Sequence, residues 1–239
     1  MPMAFQFKQF SIEQDQCAMK VGTDGVLLGA WATLINNPYS ILDIGTGTGL
    51  IALMLAQRSN AEQIDALEID ENAYEQCVEN FENSNWRDLL FCYHASFQEF
   101  VEEMYEEEQY DLIVSNPPFY TAQYKSENTQ RDLARFEDAL PFEHLAQGAS
   151  LLLSEEGVFC VIIPFQEEEK FISIAHHFEL FPLKITRVKG TQTSYIKRSL
   201  IAFSKKQTKT EADELVIETT RHNYTKEYSD LVKDFYIKM

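Results

Sequence analysis

The chain has 239 residues, of which 45% are hydrophobic and 24% charged, and its formal net charge is −18. This length and composition predict a globular protein built around one large domain, and they exclude a disordered or fibrous chain. A membrane-spanning helix needs about 20 consecutive apolar residues, and the sequence contains no such run. The N-terminal segment lacks the basic and apolar regions of a signal peptide, so we predict a cytoplasmic protein.

Short apolar runs bounded by turn or polar residues predict strands at 39–45, 63–70, 89–95, 110–116 and 157–164. Amphipathic stretches predict helices at about 24–35 and at 49–58, 71–84, 97–105, 138–153 and 166–177. Strands that are almost continuously apolar are typical of a parallel sheet with helices on both faces. The sequence therefore predicts the α/β class.

The pattern changes after residue 180, where two alternating runs follow each other without a helix between them. FPLKITRVKG and SYIKRSLIAFS, joined through GTQT, predict an antiparallel hairpin at the sheet edge. A short strand at 213–218 and a helix at 225–236 are expected to complete the chain.

Charge is distributed unevenly along the sequence. Residues 99–111 carry seven acids and no base, which is typical of a solvated helix face. Residues 184–209, called the basic strip below, carry eight bases and no acid. The strip is either a sheet edge protected from aggregation by its lysines or a surface that faces a polyanion. Its bases are Lys184, Arg187, Lys189, Lys197, Arg198, Lys205, Lys206 and Lys209.

A glycine-rich loop, DIGTGTG, joins the first predicted strand to its helix. Gly45, Gly47 and Gly49 allow a tight turn and the close approach of a ligand. One register of the loop also satisfies a dinucleotide fingerprint, so the glycines alone do not choose the ligand. Asp43 favours S-adenosylmethionine, because a carboxylate there repels a pyrophosphate and attracts the sulfonium and ammonium charges.

An acid at the end of the next strand is the candidate ribose ligand, since it can accept hydrogen bonds from ribose hydroxyls. Glu68 is preferred because it directly follows the apolar run, whereas Asp70 is placed to cap the following helix.

The tetrapeptide Asn116-Pro117-Pro118-Phe119 follows the fourth predicted strand. The carboxyl ends of parallel strands meet at one cleft, so we expect this segment to lie beside the glycine loop. The Asn116 side-chain carbonyl and the Pro117 backbone carbonyl can each accept one hydrogen from a planar amino group. Phe119 offers a face on which a base can stack. A rigid turn without a chemical role is the alternative.

The combination of DIGTGTG, the acid after the second strand and NPPF resembles the class I S-adenosylmethionine-dependent methyltransferases. NPPF resembles the (D/N/S)PP(Y/F/W) catalytic signature of members that methylate amino groups. FKQFSIEQDQCAMKVGTDGVLLGAWA at 7–32 and RDLARFEDALPFEHL at 131–145 extend the resemblance to nearly the whole chain. With them, the sequence looks like the bacterial tRNA adenine-N6 methyltransferases that modify the adenine beside the anticodon of a valine tRNA.

This resemblance implies a single domain with a Rossmann-like core at 39–204. An N-terminal extension (1–38) would contribute to the cofactor site, and a C-terminal segment (205–239) would pack against the core. The implied reaction is direct transfer of a methyl group from S-adenosylmethionine to the N6 atom of an anticodon-loop adenine. No covalent enzyme intermediate is needed.

The resemblance also implies roles for further residues near the cofactor. Lys20 and Thr23 would lie near its methionine end. Ser96 stands where many relatives carry an aspartate that meets the cofactor adenine, and its hydroxyl can accept the same bond. Phe97 either packs on that adenine or belongs to the core.

A tRNA substrate requires a local basic surface on this acidic protein. Lys197 and Arg198 of the basic strip are candidates, as are Arg131 and Arg135 near NPPF. Ion pairing with neighbouring acids on a helix surface is the alternative for Arg131 and Arg135.

Other functions remain open at this stage. Protein-glutamine N5 methylation and methylation of an amino group in ribosomal RNA both suit NPPF. Enzymes of the glutamine class carry a helical substrate domain before the glycine loop, and here only about 40 residues precede that loop. A non-catalytic binding module would use 99–111 as a partner surface, and a nicotinamide dehydrogenase would leave NPPF without a role. The four cysteines and five histidines form no zinc pattern, so we predict reduced thiols and no metal. We also expect a monomer or weak dimer.

Overall fold

A central sheet of nine strands organises the computed structural model, which describes residues 4–17, 19–107, 109–118 and 140–238. A short antiparallel pair, β1 (Phe5–Gln6) and β2 (Ser11–Ile12), precedes it. The elements of the first half are α1 (Thr23–Trp31), β3 (Ser40–Ile44), α2 (Leu50–Arg58), β4 (Gln63–Glu68), α3 (Glu71–Glu82), β5 (Leu90–His94), α4 (Phe97–Met104) and β6 (Tyr110–Ser115). Those of the second half are α5 (Phe142–Leu152), β7 (Leu153–Pro164), α6 (Glu168–His177), β8 (Phe181–Thr191), β9 (Ile196–Ser204), β10 (Glu211–Thr220), β11 (Asn223–Tyr224) and α7 (Lys226–Val232).

The strand order in the sheet is β5-β4-β3-β6-β7-β9-β8-β10-β11. The five strands from β5 to β7 are mutually parallel, and β9 runs antiparallel to both β7 and β8. The predicted α/β class, the mostly parallel sheet and the C-terminal antiparallel hairpin are therefore confirmed.

The hairpin is not the outermost part of the sheet, which corrects one detail of the expectation. β10 pairs in parallel with β8, and β11 lies beyond it. β10 is also longer than the strand expected at 213–218. The reason is that its outer residues are exposed and mostly polar, and only Leu215 of this strand is buried, so hydropathy marks just the middle of the strand.

Helices cover both faces of the sheet and bury two separate apolar clusters. α1, α2, α3 and α7 pack on one face, with Leu53 and Met54 among the fully buried side chains. α4, α5 and α6 pack on the other face, with Phe159 and Phe203 at its centre. Strands buried on both sides explain why their sequences are almost continuously apolar. Among the described residues, no helix is long and apolar enough to cross a bilayer.

Candidate active site

The parallel strands end together at one edge of the sheet, called the carboxyl edge below. Ile44 pairs in register with both Leu67 and Ser115, so β3, β4 and β6 end at one level. The glycine loop follows β3, Glu68 closes β4 and Asn116 follows β6. The predicted cofactor loop and the predicted catalytic segment therefore begin side by side, where open α/β sheets bind ligands.

The three loop glycines differ in what they do. Gly45, Gly47 and Gly49 all have positive φ, at +69°, +57° and +80°. A Cβ atom added to Gly45 or Gly47 would meet nothing within 4 Å, so open space lies above the loop there. A Cβ atom on Gly49 would lie 2.5 Å from a ring carbon of Phe81. Gly45 and Gly47 leave room for a ligand, whereas Gly49 lets α2 pack closely against α3.

Asp43 is fully buried beneath the loop. Its Oδ2 atom accepts hydrogen bonds from the Thr46 hydroxyl at 2.7 Å and from the Ala52 N–H at 3.2 Å. Its Oδ1 atom is buried and has no hydrogen-bond partner among the described residues. Burial raises the pKa of Asp43 to about 7, and the nearby Glu68 carboxylate adds to the rise. A buried acid with one unsatisfied oxygen fits a cationic ligand, as S-adenosylmethionine is.

Glu68 closes the loop from the neighbouring strand. One of its carboxylate oxygens accepts a hydrogen bond from the Gly47 N–H at 2.8 Å. The other accepts from the backbone N–H groups of Ile69 and Asp70, each at 2.9 Å. Asp70 caps α3 by accepting from the Ala73 N–H at 2.9 Å. Glu68 therefore binds the glycine loop, and Asp70 caps the helix that follows, as the sequence predicts.

The predicted catalytic segment is anchored to β3. The Ser115 hydroxyl donates a hydrogen bond to the Ile44 carbonyl at 3.0 Å. Asn116 and Pro118 are half-buried and Pro117 is buried. Phe119 lies outside the described residues, as do Arg131 and Arg135, so their predicted roles stay predictions.

Lys20 and Thr23 are both exposed, and Thr23 is the first residue of α1. A Cβ atom added to Gly25 would touch Leu50 at 3.1 Å, so the start of α1 lies against the start of α2. The N-terminal segment therefore reaches the glycine loop, where the resemblance places it.

Two buried polar residues on α3, which the sequence reasoning missed, hold that segment in place. Asn80 accepts from the Glu13 N–H at 2.9 Å and donates to the Glu13 carbonyl at 3.0 Å and the Thr48 carbonyl at 2.9 Å. Gln76 accepts from the Gln16 N–H at 3.0 Å. Asn80 therefore joins the N-terminal segment to the glycine loop itself. The available signal was two amides, four residues apart, on the apolar face of an amphipathic helix.

Ser96 and Phe97 are engaged within the protein. Ser96 caps α4, and its hydroxyl donates to the Glu99 carboxylate at 2.7 Å and accepts from the Glu99 N–H at 3.2 Å. Phe97 is 5% exposed and packs into the apolar cluster of its face, where it occupies the space beside Gly148. The core interpretation of Phe97 therefore has direct structural support, and little of its ring is left for a ligand.

The basic strip does not form one continuous cationic surface. Lys197 and Arg198 lie at the carboxyl edge, whereas Lys205, Lys206 and Lys209 follow the opposite end of β9. Five of the eight bases pair with acids. The pairs are Lys184–Asp213, Arg187–Glu168, Lys189–Glu214, Arg198–Asp24 and Lys206–Glu156.

Within the part of the chain that the structure describes, no group of three or more His, Cys, Asp or Glu side chains is placed to hold a metal ion. The four cysteines are free thiols, and burial raises the pKa of Cys17 and of Cys160 to about 12.

Fold and site together define a class I methyltransferase. Residues 26–167, more than half of the chain, match the family of methyltransferase small domains. A predicted O-methyltransferase from Agrobacterium tumefaciens has the same fold, with a TM-score of 0.68 and 19% identity over 89% of this chain and 96% of that one. The ribosomal protein L11 methylase of Lactobacillus delbrueckii subsp. bulgaricus has a TM-score of 0.54 and 16% identity over 77% of each chain.

Full-length relatives narrow the class to one family. The tRNA1(Val) (adenine(37)-N6)-methyltransferase of Flavobacterium johnsoniae is 67% identical over 98% of this chain and all of the relative. The enzyme of the same name from Bacteroides fragilis is 45% identical over 98% of both chains. The chain belongs to the tRNA1(Val) (adenine(37)-N6)-methyltransferase family, and the resemblance read from its motifs is confirmed.

Proposed function

We propose that this protein transfers a methyl group from S-adenosylmethionine to the N6 atom of adenine 37, beside the anticodon, in a valine tRNA. The observation that carries the proposal is the juxtaposition of Asn116-Pro117 with the glycine loop at adjacent strand ends. Family membership adds the substrate, because the full-length relatives carry this activity in their names.

The residues of the cleft fit the cofactor. S-adenosylmethionine supplies an electrophilic methyl group when it is bound. Asp43, with its unsatisfied buried oxygen, would face the positive charge, and Gly45 and Gly47 leave the loop open to the ligand. Glu68 would hold the ribose with lone pairs that remain beside its three backbone contacts. Lys20, Thr23 and Ser96 complete the proposed cofactor contacts.

The proposed work of Asn116 and Pro117 is to orient the substrate amino group. Each carbonyl oxygen accepts one N–H of the adenine amino group, which turns the nitrogen lone pair out of conjugation with the ring and toward the methyl donor. The same oxygens stabilise the positive charge that develops on nitrogen. The proton leaves to solvent afterwards, so the chain needs no dedicated base. Positioning of this kind lowers barriers by up to about 7–11 kcal/mol.

An anticodon-loop adenine suits this cleft because an unpaired base costs little to extrude from its stack. The proposed setting is the cytoplasm, and the proposed form is a monomer or weak dimer. Lys197, Arg198, Arg131 and Arg135 are proposed to face the RNA, with Arg198 also tied to Asp24 of α1.

The direct test is transfer from labelled S-adenosylmethionine into unmodified total tRNA, followed by nucleoside digestion and mass spectrometry. N6-methyladenosine in a valine tRNA supports cofactor, reaction and substrate together. Label in ribosomal RNA or in a protein glutamine instead would keep the chemistry of the cleft and discard the tRNA substrate. Cofactor binding without transfer would leave a binding module.

An Asn116→Ala variant tests the role of the catalytic segment. Loss of one acceptor should slow methyl transfer at least about tenfold, which corresponds to about 1.4 kcal/mol of transition-state stabilisation. Binding of S-adenosylmethionine, measured by calorimetry, should stay within twofold of wild type. Asn116→Asp keeps an acceptor oxygen and should retain more activity than the alanine variant. Full transfer by Asn116→Ala would show that Asn116 has no such role.

A further inference from the structure

Among the described residues, three aromatic side chains stand exposed along the carboxyl edge, on the side of β6 away from the glycine loop. Phe165 follows β7, Tyr195 precedes β9 and Tyr224 belongs to β11. Their exposed fractions are 37%, 93% and 42%. The sheet order beyond β6 is β7, β9, β8, β10 and β11, so the strands next to these three residues follow one another outward from Asn116. We call these three residues the aromatic track.

Each residue of the track is accompanied by a cationic residue, in ring contact, in the sequence or in the lining of a cavity. The guanidinium carbon of Arg187 lies 5.7 Å from the centre of the Phe165 ring. Lys197 follows Tyr195 by two residues and is exposed. Lys238 lines the same cavity as Tyr224. Alternating aromatic and cationic side chains are what proteins use to bind single-stranded nucleic acid, because every base has a face that stacks and every linkage carries a phosphate.

The turn that carries Tyr195 is held by its own hydrogen bonds. The Ser194 hydroxyl accepts from the Thr191 N–H and donates to the Thr191 carbonyl, both at 2.8 Å. The Ser194 N–H also donates to the Thr191 carbonyl at 3.1 Å. The nearly bare ring of Tyr195 is therefore presented on an ordered turn, so less entropy is lost when a base stacks on it.

The track ends in a cavity of about 640 Å³ at the outer strands. Its lining includes Tyr224, Tyr236 and Lys238, together with Gly190 of β8 and Thr23, the first residue of α1. This volume lies in the range of small-molecule sites and is ample for one nucleotide. Glu218 also lines the cavity, where its carboxylate repels phosphate but can accept hydrogen bonds from the amino group of a base.

At Thr23 the cavity borders the proposed cofactor site, but its outer part lies too far from Asn116 to hold the base that is methylated. Gly190 belongs to β8, which lies three strand spacings from β6, or roughly 14 Å from the strand that carries Asn116. A nucleotide bound there is a neighbour of the target in the same loop.

We propose that the aromatic track binds unpaired nucleotides next to the target adenine, with stacking on Tyr195 and with one nucleotide seated in the Tyr224 cavity. This inference rests on the proposed function, because it presupposes an RNA loop in the cleft. This mode of binding differs from a general attraction to polyanions. Arg187 and Arg198 are already paired with acids, so stacking on the aromatic rings would supply most of the binding.

Steady-state kinetics with unmodified valine tRNA test the track through Tyr195→Ala and Tyr224→Ala. Each variant should raise the KM for tRNA about tenfold, in line with the loss of one stacked base. The kcat at saturating tRNA and the Kd for S-adenosylmethionine should stay within twofold of wild type. Tyr195→Phe keeps the ring and should restore the wild-type KM. Tyr39→Ala is the matched control, because Tyr39 is 58% exposed and precedes β3 at the opposite edge.

The outcomes separate the track from the proposed function. If wild type methylates tRNA and Tyr195→Ala and Tyr224→Ala both keep its KM, the track is wrong and the proposed function stands. If wild type methylates no tRNA, both are wrong. An equal rise of KM in Tyr39→Ala would also overturn the track, because the effect would not depend on the carboxyl edge. Tyr195 is nearly free of protein contacts, so its variant tests the proposal even if Tyr224→Ala misfolds.

Discussion

Asp43 is the residue at which the proposed ligand binding and the stability of the fold meet. An aspartate that is buried without full hydrogen bonding opposes folding in its charged form. A bound cation would remove that cost, because it would pair with the carboxylate oxygen that has no hydrogen-bond partner among the described residues. If Asp43 contacts the cofactor as proposed, the free energy that its burial costs the free protein would be recovered as affinity for the cofactor.

The pH dependence of Asp43 gives a test at this scale. Its pKa is raised from 3.8 to about 7, so the folded protein holds this proton more tightly than the unfolded chain. Its contribution to stability is full below about pH 4 and is lost as the pH rises to about 7. Affinity for S-adenosylmethionine should rise over the same range, since the carboxyl becomes ionised.

Calorimetry and thermal unfolding of an Asp43→Asn variant between pH 5 and pH 8 measure both effects. The variant should bind S-adenosylmethionine at least about tenfold more weakly at pH 8, as expected for a lost buried charge contact. Its own pH dependence of affinity should be flat across neutrality. Asp65→Asn, a buried carboxylate bonded to Tyr110, is the control and should leave cofactor affinity unchanged. A wild-type affinity profile in Asp43→Asn would contradict the assignment.

At the scale of elements, α3 does more than cover the sheet. Its apolar residues Cys77 and Phe81 pack at the glycine loop, while Gln76 and Asn80 on the same buried side bind the N-terminal segment. Amphipathic spacing predicted the helix and its buried face. The spacing did not predict that two amides on that face would satisfy the backbone of a segment some 60 residues earlier.

An Asn80→Ala variant tests this junction between elements. Loss of the side chain leaves the Glu13 N–H and two carbonyl groups without their partner, which should cost about 1–3 kcal/mol of unfolding free energy. Cofactor affinity should fall as well, because Thr48 belongs to the glycine loop. Urea unfolding and calorimetry provide the two readouts.

Asn83→Ala is the matched control, since Asn83 ends the same helix and is exposed. It should change both quantities little. Loss of stability in Asn80→Ala with unchanged cofactor affinity would show that Asn80 supports the fold alone.

For the whole molecule, the sheet decides which charges act together. Lys197 and Lys209 both belong to the basic strip, only twelve residues apart in the sequence. In the structure they lie at opposite ends of the strands, because Lys197 is at the start of β9 and Lys209 follows its end. A protein with a net charge of −18 can therefore present Lys197 to RNA at the carboxyl edge, separated from the lysines at the far end of β9.

Salt-dependent RNA binding by Lys197→Gln and Lys209→Gln tests this arrangement. Each phosphate contact to a single strand contributes about 0.7 to the slope of log K against log salt. Lys197→Gln should lower the slope by about that amount and weaken binding. Lys209→Gln, at the far edge, should change neither quantity. Equal effects of the two variants would mean that the strip acts as one diffuse charge.

The sequence by itself determined the fold class, the family, the cofactor and the two motifs at the heart of the site. These properties can be read from short segments of the sequence. The period of the hydropathy pattern predicts helices and strands, and DIGTGTG and NPPF are contiguous motifs whose residues indicate the cofactor and the reaction. The family and the α/β class are confirmed, whereas the roles of the individual site residues remain predictions.

Only the tertiary structure decided how distant segments meet. In the structure β10 pairs with β8, and Glu13 is hydrogen-bonded to Asn80. Phe97 packs in the core, and the residues of the basic strip lie at both ends of β9. The tertiary structure also brought Tyr195 and Tyr224 to the edge that carries Asn116. The physical reason is that strand order and long-range polar contacts are settled by the burial of the whole sheet, and burial on that scale has no local period in the sequence.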